Sequence, residues 1–308
     1  MIPTAAWIER GPCSLCGSRS LQAERKIDVF PLERCSDCGF LQTGLVLRPD
    51  ALAGYYTDGY GGVRQKQGQQ INAMINWAAM QRMGLLDRPL EKVLDVGCGY
   101  GFLIHEFAGV ARQPVGVELA QSEIDHARDV LDCTVASDIS DLPAPLQNGF
   151  DLVVLFEVLE HITDPVAFLS GFAQRLRPGG VLVVGTDNFL SAPAKSLGDG
   201  FPKWIPHQHV SLFDPKSLES AIARVDGMQV IARCSYTPWE LTARALLHRL
   251  SLGRIGARRF QLDAELAGEN SRPFRLFALR RAVNRLWFSL SARRDLSGEM
   301  MFIAARKS

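Results

Sequence analysis

The sequence predicts an α/β protein: a doubly wound sheet, a small cysteine-bearing module in front of it, and a helical insertion before the last strand. Three observations carry this. From Glu91 onward, short β-rich runs alternate with helical stretches, many of them separated by Gly or Pro. Four of the seven Cys fall within the first 38 residues. Residues 239–296 then break the alternation with 12 Arg against 5 Asp+Glu and no Lys.

The 308 residues are 47% hydrophobic and 22% charged, which supports a packed core and excludes global disorder. A net charge of +1 gives no chain-wide case for a polyanionic partner. The N-terminal residues lack a basic start followed by an apolar stretch, so no secretory signal is expected. The expected compartment is the cytoplasm, where cysteines serve as thiols or metal ligands rather than disulfides.

Residues 1–48 read as a zinc-ribbon module. Cys13-Ser-Leu-Cys16 and Cys35-Ser-Asp-Cys38 give C-x2-C-x18-C-x2-C, the spacing of a four-thiolate zinc site. Gly17 and Gly39 follow each pair, where a knuckle needs positive φ. Four thiolates leave no open coordination position, so the metal is expected to be structural. Basic and acidic residues balance within the module, which argues against a nucleic-acid-binding role. Residues 49–90 form a helical linker or lid. Within them 64–86 read as a helix whose Ile71, Met74, Ile75, Ala78 and Met83 share one face.

Residues 91–308 form the main domain. Strands are expected at Val93–Val96, Pro114–Val117, Asp151–Phe156, Val181–Val184, Gln229–Ala232 and Met300–Ala305, in a parallel sheet. Helices are expected at Ser122–Leu131 and Pro165–Leu176. The insertion 239–296 reads either as an amphipathic lid with a solvated basic face or as a surface for membranes or anionic substrates.

Val93-Leu-Asp-Val-Gly-Cys-Gly-Tyr-Gly101 joins a strand to a helix, where an α/β fold binds ligand. The dinucleotide pattern fails, because Phe102 stands where the third Gly belongs. Asp95 beside the loop favours a ligand with positive charge, unless it merely caps loop amides. Glu118 closes the next strand, about where an acidic side chain takes ribose hydroxyls.

With Phe156-Glu-Val-Leu-Glu-His-Ile162 and Leu176-Arg-Pro-Gly-Gly-Val181, these runs resemble the class I S-adenosylmethionine-dependent methyltransferases, whose sheet is Rossmann-like. The resemblance implies that Gly97 and Gly99 let the backbone approach the cofactor's methionine part, with Asp95 near its amino group. It further implies Glu118 on the ribose, Asp138 and Ile139 beside the adenine, and Glu157 at the methionine end. His161, next to Glu160, is either catalytic or structural.

Thr186 to Leu212 reads as a long irregular loop over the reacting centre, holding Phe189, Phe201, Trp204, His207 and His209. Histidine is the natural general base near neutral pH. The knuckles with Pro49 and Tyr55-Tyr56, the core, and His207-Gln-His-Val-Ser-Leu-Phe213 are similar to a zinc-containing methyltransferase group of sugar and natural-product pathways. Members that C-methylate deoxy-keto-sugar nucleotides have a Tyr-His-Glu-His type motif here. His209 matches the last His, while Pro206 and Gln208 depart from the pattern. Tyr55, Tyr56 and Tyr60 either close the pocket or pack in the core.

The expectation is methyl transfer to oxygen or carbon of a saccharide, sugar nucleotide or secondary metabolite. His209, with His207 and His161, are the candidate catalytic groups. An RNA methyltransferase and a non-catalytic cofactor-binding scaffold are the rival readings.

Overall fold

The structure is a computed structural model that describes residues 6–48, 51, 63–253, 259–261 and 273–308. Pro49, Tyr55, Tyr56 and Tyr60, and part of the 239–296 insertion, lie outside the described residues.

Five short strands form the N-terminal module: β1 (Trp7–Glu9), β2 (Leu21–Ile27), β3 (Phe30–Cys35), β4 (Leu41–Thr43) and β5 (Leu45–Leu47). Gly17 and Gly39 take positive φ, and their N–H groups donate to the Cys13 and Cys35 carbonyls at 2.7 and 2.9 Å. Both knuckles therefore close as tight turns that aim two thiols at one point.

The helix α1 (Val63–Arg82) leads into the main sheet. This runs through β6 (Leu90–Val96), α2 (Phe102–Phe107), β7 (Ala111–Val117), α3 (Gln121–Asp129), β8 (Thr134–Ala136), β9 (Phe150–Phe156), α4 (Pro165–Arg175) and β10 (Leu176–Asp187). After α5 (Ala192–Leu197), β11 (Ser211–Leu212) and α6 (Pro215–Ala223) come β12 (Met228–Tyr236), α7 (Trp239–Leu250), α8 (Phe277–Ser291) and β13 (Met300–Lys307). The seven-stranded order is β12-β13-β10-β9-β6-β7-β8.

Strand residues alternate between two apolar layers, as the pleat requires. Leu94, Val153, Leu182 and Ile303 pack with α4 and α6 on one face. Val93, Leu152, Val183 and Phe302 pack with α1, α2 and Phe288 of α8 on the other. Every residue of β9 is buried, the near-continuous apolar run of a central parallel strand.

The sheet corrects two expectations. It is mixed rather than parallel, because β13 runs antiparallel to both β10 and β12. Tyr236 and Asp187 both pair with Met300, so β12 and β13 form a wide hairpin. Its connection emerges at the carboxyl edge of the parallel strands, which hangs α7 and α8 over that edge. The stretch 186–212 is also less irregular than expected. Ser191 accepts the Ala194 N–H as an N-cap, and Pro193 sits in the first turn of α5.

This same stretch is stitched to the module. The pairing Ser211↔Gln42 and Leu212↔Leu41 makes β11 the edge of a four-stranded sheet with β4, β3 and β2. The Arg10 guanidinium donates to Thr163 O (2.7 Å), Ser211 Oγ (2.7 Å), Ser14 Oγ (2.9 Å) and the Val210 carbonyl. One cation thus ties the first knuckle to the two loops that follow β9 and α5. Replacing it strands several acceptors, so Arg10→Ala is expected to cost about 2–3 kcal/mol in urea denaturation. An unchanged midpoint would show that strand pairing alone holds the module.

Candidate active site

The carboxyl edge of β6, β7, β8 and β9 opens into a cavity of about 600 Å³. Asp95, Gly97, Gly99, Glu118, Asp138, Ile139, Glu157, His161 and His209 all line it. His207 does not; it is buried and stacks on Phe260, with ring centroids 5.4 Å apart.

At one end lies the glycine loop. A Cβ on Gly97 would stand 2.5 Å from Val158 Cγ2, and one on Gly99 would stand 2.0 Å from Gln69 Oε1. Both glycines also take positive φ, 70° and 54°, so a side chain at either position meets backbone strain as well as a neighbour. Glu118 is fixed by its neighbours: Oε2 accepts from Gly99 N (2.9 Å), and Oε1 from Leu119 N (2.7 Å) and Ala120 N (3.0 Å). Asp95 is buried, and desolvation followed by the nearby Glu118 charge pushes its carboxyl well above the usual range. Asp138 is held low by bonds from the Ser140 hydroxyl and backbone N–H, while Ile139, Phe168 and Phe172 supply an apolar wall.

The helix α1 roofs this end. Gln69 Oε1 accepts from Tyr100 N (2.9 Å), and its Nε2 donates to Glu123 Oε1 (3.0 Å). Burial first, then Glu118, raises the Glu123 carboxyl to about 8. Asn72 donates to Glu157, whose backbone sits at φ 55. That left-handed turn costs about 1–2 kcal/mol and directs the strand end into the cavity.

At the other end the β9 and β11 loops meet. The Glu160 carbonyl accepts from Val210 N (2.8 Å), bringing the His161 and His209 rings to 4.9 Å between centroids. His209 Nδ1 lies 3.0 Å from the Lys203 carbonyl. A carbonyl only accepts, so Nδ1 carries the proton and Nε2 keeps its lone pair. Burial first, then the His161 and Lys203 charges, pushes His209 well below the ordinary histidine value, and His161 falls to about 4 chiefly by burial. Both are neutral at pH 7.

Lys203 bridges Glu157 (3.2 Å) and the fully buried Asp187 (3.0 Å). Burial works against its ammonium, but Asp187, Glu157 and Glu299 outweigh this and hold it charged. Glu160, raised to about 8 by burial and then Asp187, accepts from the Thr186 hydroxyl at 2.7 Å. Glu160, His161 and His209 each offer a ligand atom within 4.8 Å of the others, so they could hold a metal ion, as could Cys13, Cys16, Cys35 and Cys38.

A second cavity of about 540 Å³ adjoins the first, sharing Gly68, Asn72, Asn76, Glu157 and Lys203 with it. Its outer wall comes from the inner faces of α7 and α8, including Leu241, Arg244, Arg280 and Asn284.

Gln69, Asn72, Glu123 and Lys203 were not singled out by sequence reasoning. Gln65, Gln69, Asn72 and Asn76 recur at helical spacing, a polar stripe beside the apolar face of α1 that marks a cavity-facing surface.

A glycine cradle, a carboxylate at the following strand end and an acidic cavity define a class I S-adenosylmethionine-dependent methyltransferase. The sequence model of the family described as methyltransferase domain matches residues 68–226, just over half of the chain, and the chain belongs to that family. The ubiquinone biosynthesis O-methyltransferase of Rhizobium rhizogenes is 32% identical over 174 residues, covering 50% of this chain and 70% of that protein. The protein of the same name from Xanthomonas campestris pv. campestris is 31% identical over 170 residues, covering 51% and 71%. Among solved structures, a methyltransferase of Thermotoga maritima aligns over 83% of this chain and 92% of its own, at 13% identity and a TM-score of 0.49.

The residues fit the cofactor. Its sulfonium cation suits a cavity where, among the described residues, Asp95, Glu118, Glu123, Asp138, Glu157 and Glu160 face a single Lys. Gly99→Val is expected to abolish S-adenosylmethionine binding in equilibrium dialysis, since the new side chain enters the Gln69 contact. Retained affinity would place the cofactor elsewhere.

Proposed function

We propose that the chain transfers the methyl group of S-adenosylmethionine to an oxygen of a small-molecule acceptor, with His209 taking the hydroxyl proton. The observation that carries this is the His209 tautomer, fixed by the Lys203 carbonyl so that an unprotonated Nε2 belongs to a ring lining the cavity. The two relatives above, both named O-methyltransferases, favour oxygen over carbon.

When bound, S-adenosylmethionine supplies an electrophilic methyl group. The chain's own residues do the rest. Gly97 and Gly99 admit the methionine part, Glu118 takes the ribose, and Asp138 with Ile139 borders the adenine. Asp95 and Glu157 meet positive charge. The acceptor enters through the second cavity, whose volume of about 540 Å³ has room for a ring-sized saccharide or secondary metabolite. Lys203, charged and set between the two cavities, stabilises the oxyanion left when His209 removes the proton. The roof of α1 excludes water, and alignment of acceptor with methyl group supplies much of the rate. His207, outside the cavity, supports the loop by packing on Phe260.

His209→Ala is expected to leave cofactor affinity within about twofold and to lower turnover by about 10²–10⁴-fold, the usual contribution of a general base. Near-normal turnover would overturn the assignment.

The four N-terminal thiols hold a structural zinc ion. Cys13 Sγ and Cys38 Sγ lie 3.6 Å apart, as do those of Cys16 and Cys35. Four sulfurs at ~2.3 Å from one tetrahedral zinc stand about 3.8 Å apart, so the thiols are already spaced for the ion. A second reading gives Glu160, His161 and His209 a divalent cation, which would acidify the acceptor hydroxyl in place of a base. Metal analysis of the purified protein separates these: one zinc per chain is expected. A second metal that is lost in His161→Ala would favour the cation over the base, and no zinc would remove the structural ion.

A further inference from the structure

Fifteen large apolar side chains are exposed among the described residues, and nine of them lie between Leu246 and Leu290. On α8 they form a stripe. Leu279, Val283, Leu286 and Leu290 recur every third or fourth residue, Leu276 precedes them at the N-cap, and Leu276, Leu286 and Leu290 are 75%, 62% and 74% exposed. The opposite side of the helix packs inward through Asn284 and Phe288. A solvent-facing stripe of this kind is the reverse of what a helix shows when its only task is to cover a core. At the end of α7, Leu246, Leu247 and Leu250 add a second exposed group.

Along α8 and the last turn of α7 the charge has one sign. The α8 sequence holds Arg280, Arg281 and Arg285 and no acidic residue, and Arg249 lies in the last turn of α7. Arg281, Arg285 and Arg249 are exposed, whereas Arg280 is turned inward to Glu240 at 2.8 Å. This charge selects among occupants. Two copies of α8 packed stripe to stripe would bring arginine-only helices together with no acid to offset them. An anionic bilayer offers the complement to both features: acyl chains for the leucines and headgroup phosphates for the guanidinium groups. No described helix is long and apolar enough to cross a membrane, and α8, at 15 residues, suits an in-plane position.

We propose that the exposed face of α8, with the leucines at the end of α7, docks the protein on the surface of a bilayer containing anionic lipid. The leucines reach the boundary between headgroups and acyl chains, and Arg249, Arg281 and Arg285 meet phosphates. The inward faces of the same two helices wall the second cavity, through Leu241, Arg244 and Asn284. Docking therefore sets that cavity beside the lipid surface. If the cavity is the acceptor site proposed above, its acceptor is an amphiphile drawn from the membrane. The docking itself does not rest on that reading.

The test is co-sedimentation of the full chain with vesicles of phosphatidylcholine alone or with 30% phosphatidylglycerol, at low and at high salt, alongside sedimentation velocity without lipid. The expected result is binding to the phosphatidylglycerol vesicles that weakens with salt. It should fall at least tenfold both in L286S/L290S and in R281S/R285S, with S-adenosylmethionine affinity unchanged in each. These side chains are exposed, so the unchanged cofactor affinity also reports that the variants fold. Failure to bind the anionic vesicles, or equal binding to phosphatidylcholine, overturns the proposal. A lipid-free dimer that L286S/L290S dissociates overturns it as well, because a second copy would then own this face. Docking lost with normal methyl transfer to a water-soluble acceptor leaves the catalytic reading standing, whereas normal docking with no turnover on any acceptor sinks that reading alone.

Discussion

The rest of the site depends on a charge imbalance at the carboxyl edge of the sheet. Among the described residues, six carboxyl groups line one cavity and a single ammonium, Lys203, answers them. Two of the six, Glu123 and Glu160, are driven to about 8, first by burial and then by Glu118 and by Asp187 respectively, so the cavity holds protons it would not hold in water. For such raised carboxyl groups the native state is favoured at low pH, and that advantage drains away between about 4.5 and about 8. A cationic ligand relieves the same imbalance without the protons. The fold thus stores at this edge a preference for positive charge, which is what a sulfonium cofactor needs and what a dinucleotide pyrophosphate would find repellent.

The second constraint is mechanical. A histidine on a long loop is useful only if the loop is held, and here three separate parts of the chain hold it. The Glu160 carbonyl pairs with Val210 N, Thr43 N pairs with the Val210 carbonyl (3.0 Å), and Arg10 reaches Val210, Ser211 and Thr163. The N-terminal module is therefore a brace for the His209 loop as much as a separate unit. Its cysteine knuckles fix the position of Ser14 and β4, and through them the reacting end of the cavity.

Much of this was legible in the residues. The glycine loop, Glu118 and the strand–helix alternation are local signals, written in contiguous runs whose chemistry does not depend on what packs against them. The four cysteines are legible for the same reason. What could not be read were pairings between distant segments. Nothing in Ser211-Leu212 announces that it extends a sheet begun at Leu21, and nothing near Met300 shows that the last strand inserts antiparallel between β10 and β12. Lys203 looks like a loop lysine until Asp187 and Glu157 are seen on either side of it. The α5 helix was missed although Ser191 and Pro193 mark its start, because the aromatic residues around it masked a short capped turn. The resemblance favoured His209 over His207, but only the fold shows that His207 stacks on Phe260 while His209 lines the cavity.

The proposed base requires the cofactor's reactive methyl group to face the His161–His209 end of the cavity. Nuclear Overhauser spectroscopy on the complex with S-(methyl-¹³C)adenosylmethionine tests it directly. Contacts from the labelled methyl group to the imidazole protons of His209 and His161 are expected. Methyl contacts confined to Phe168 and Phe172, at the apolar wall beside Ile139, would contradict it and with it the assignment of His209 as the base.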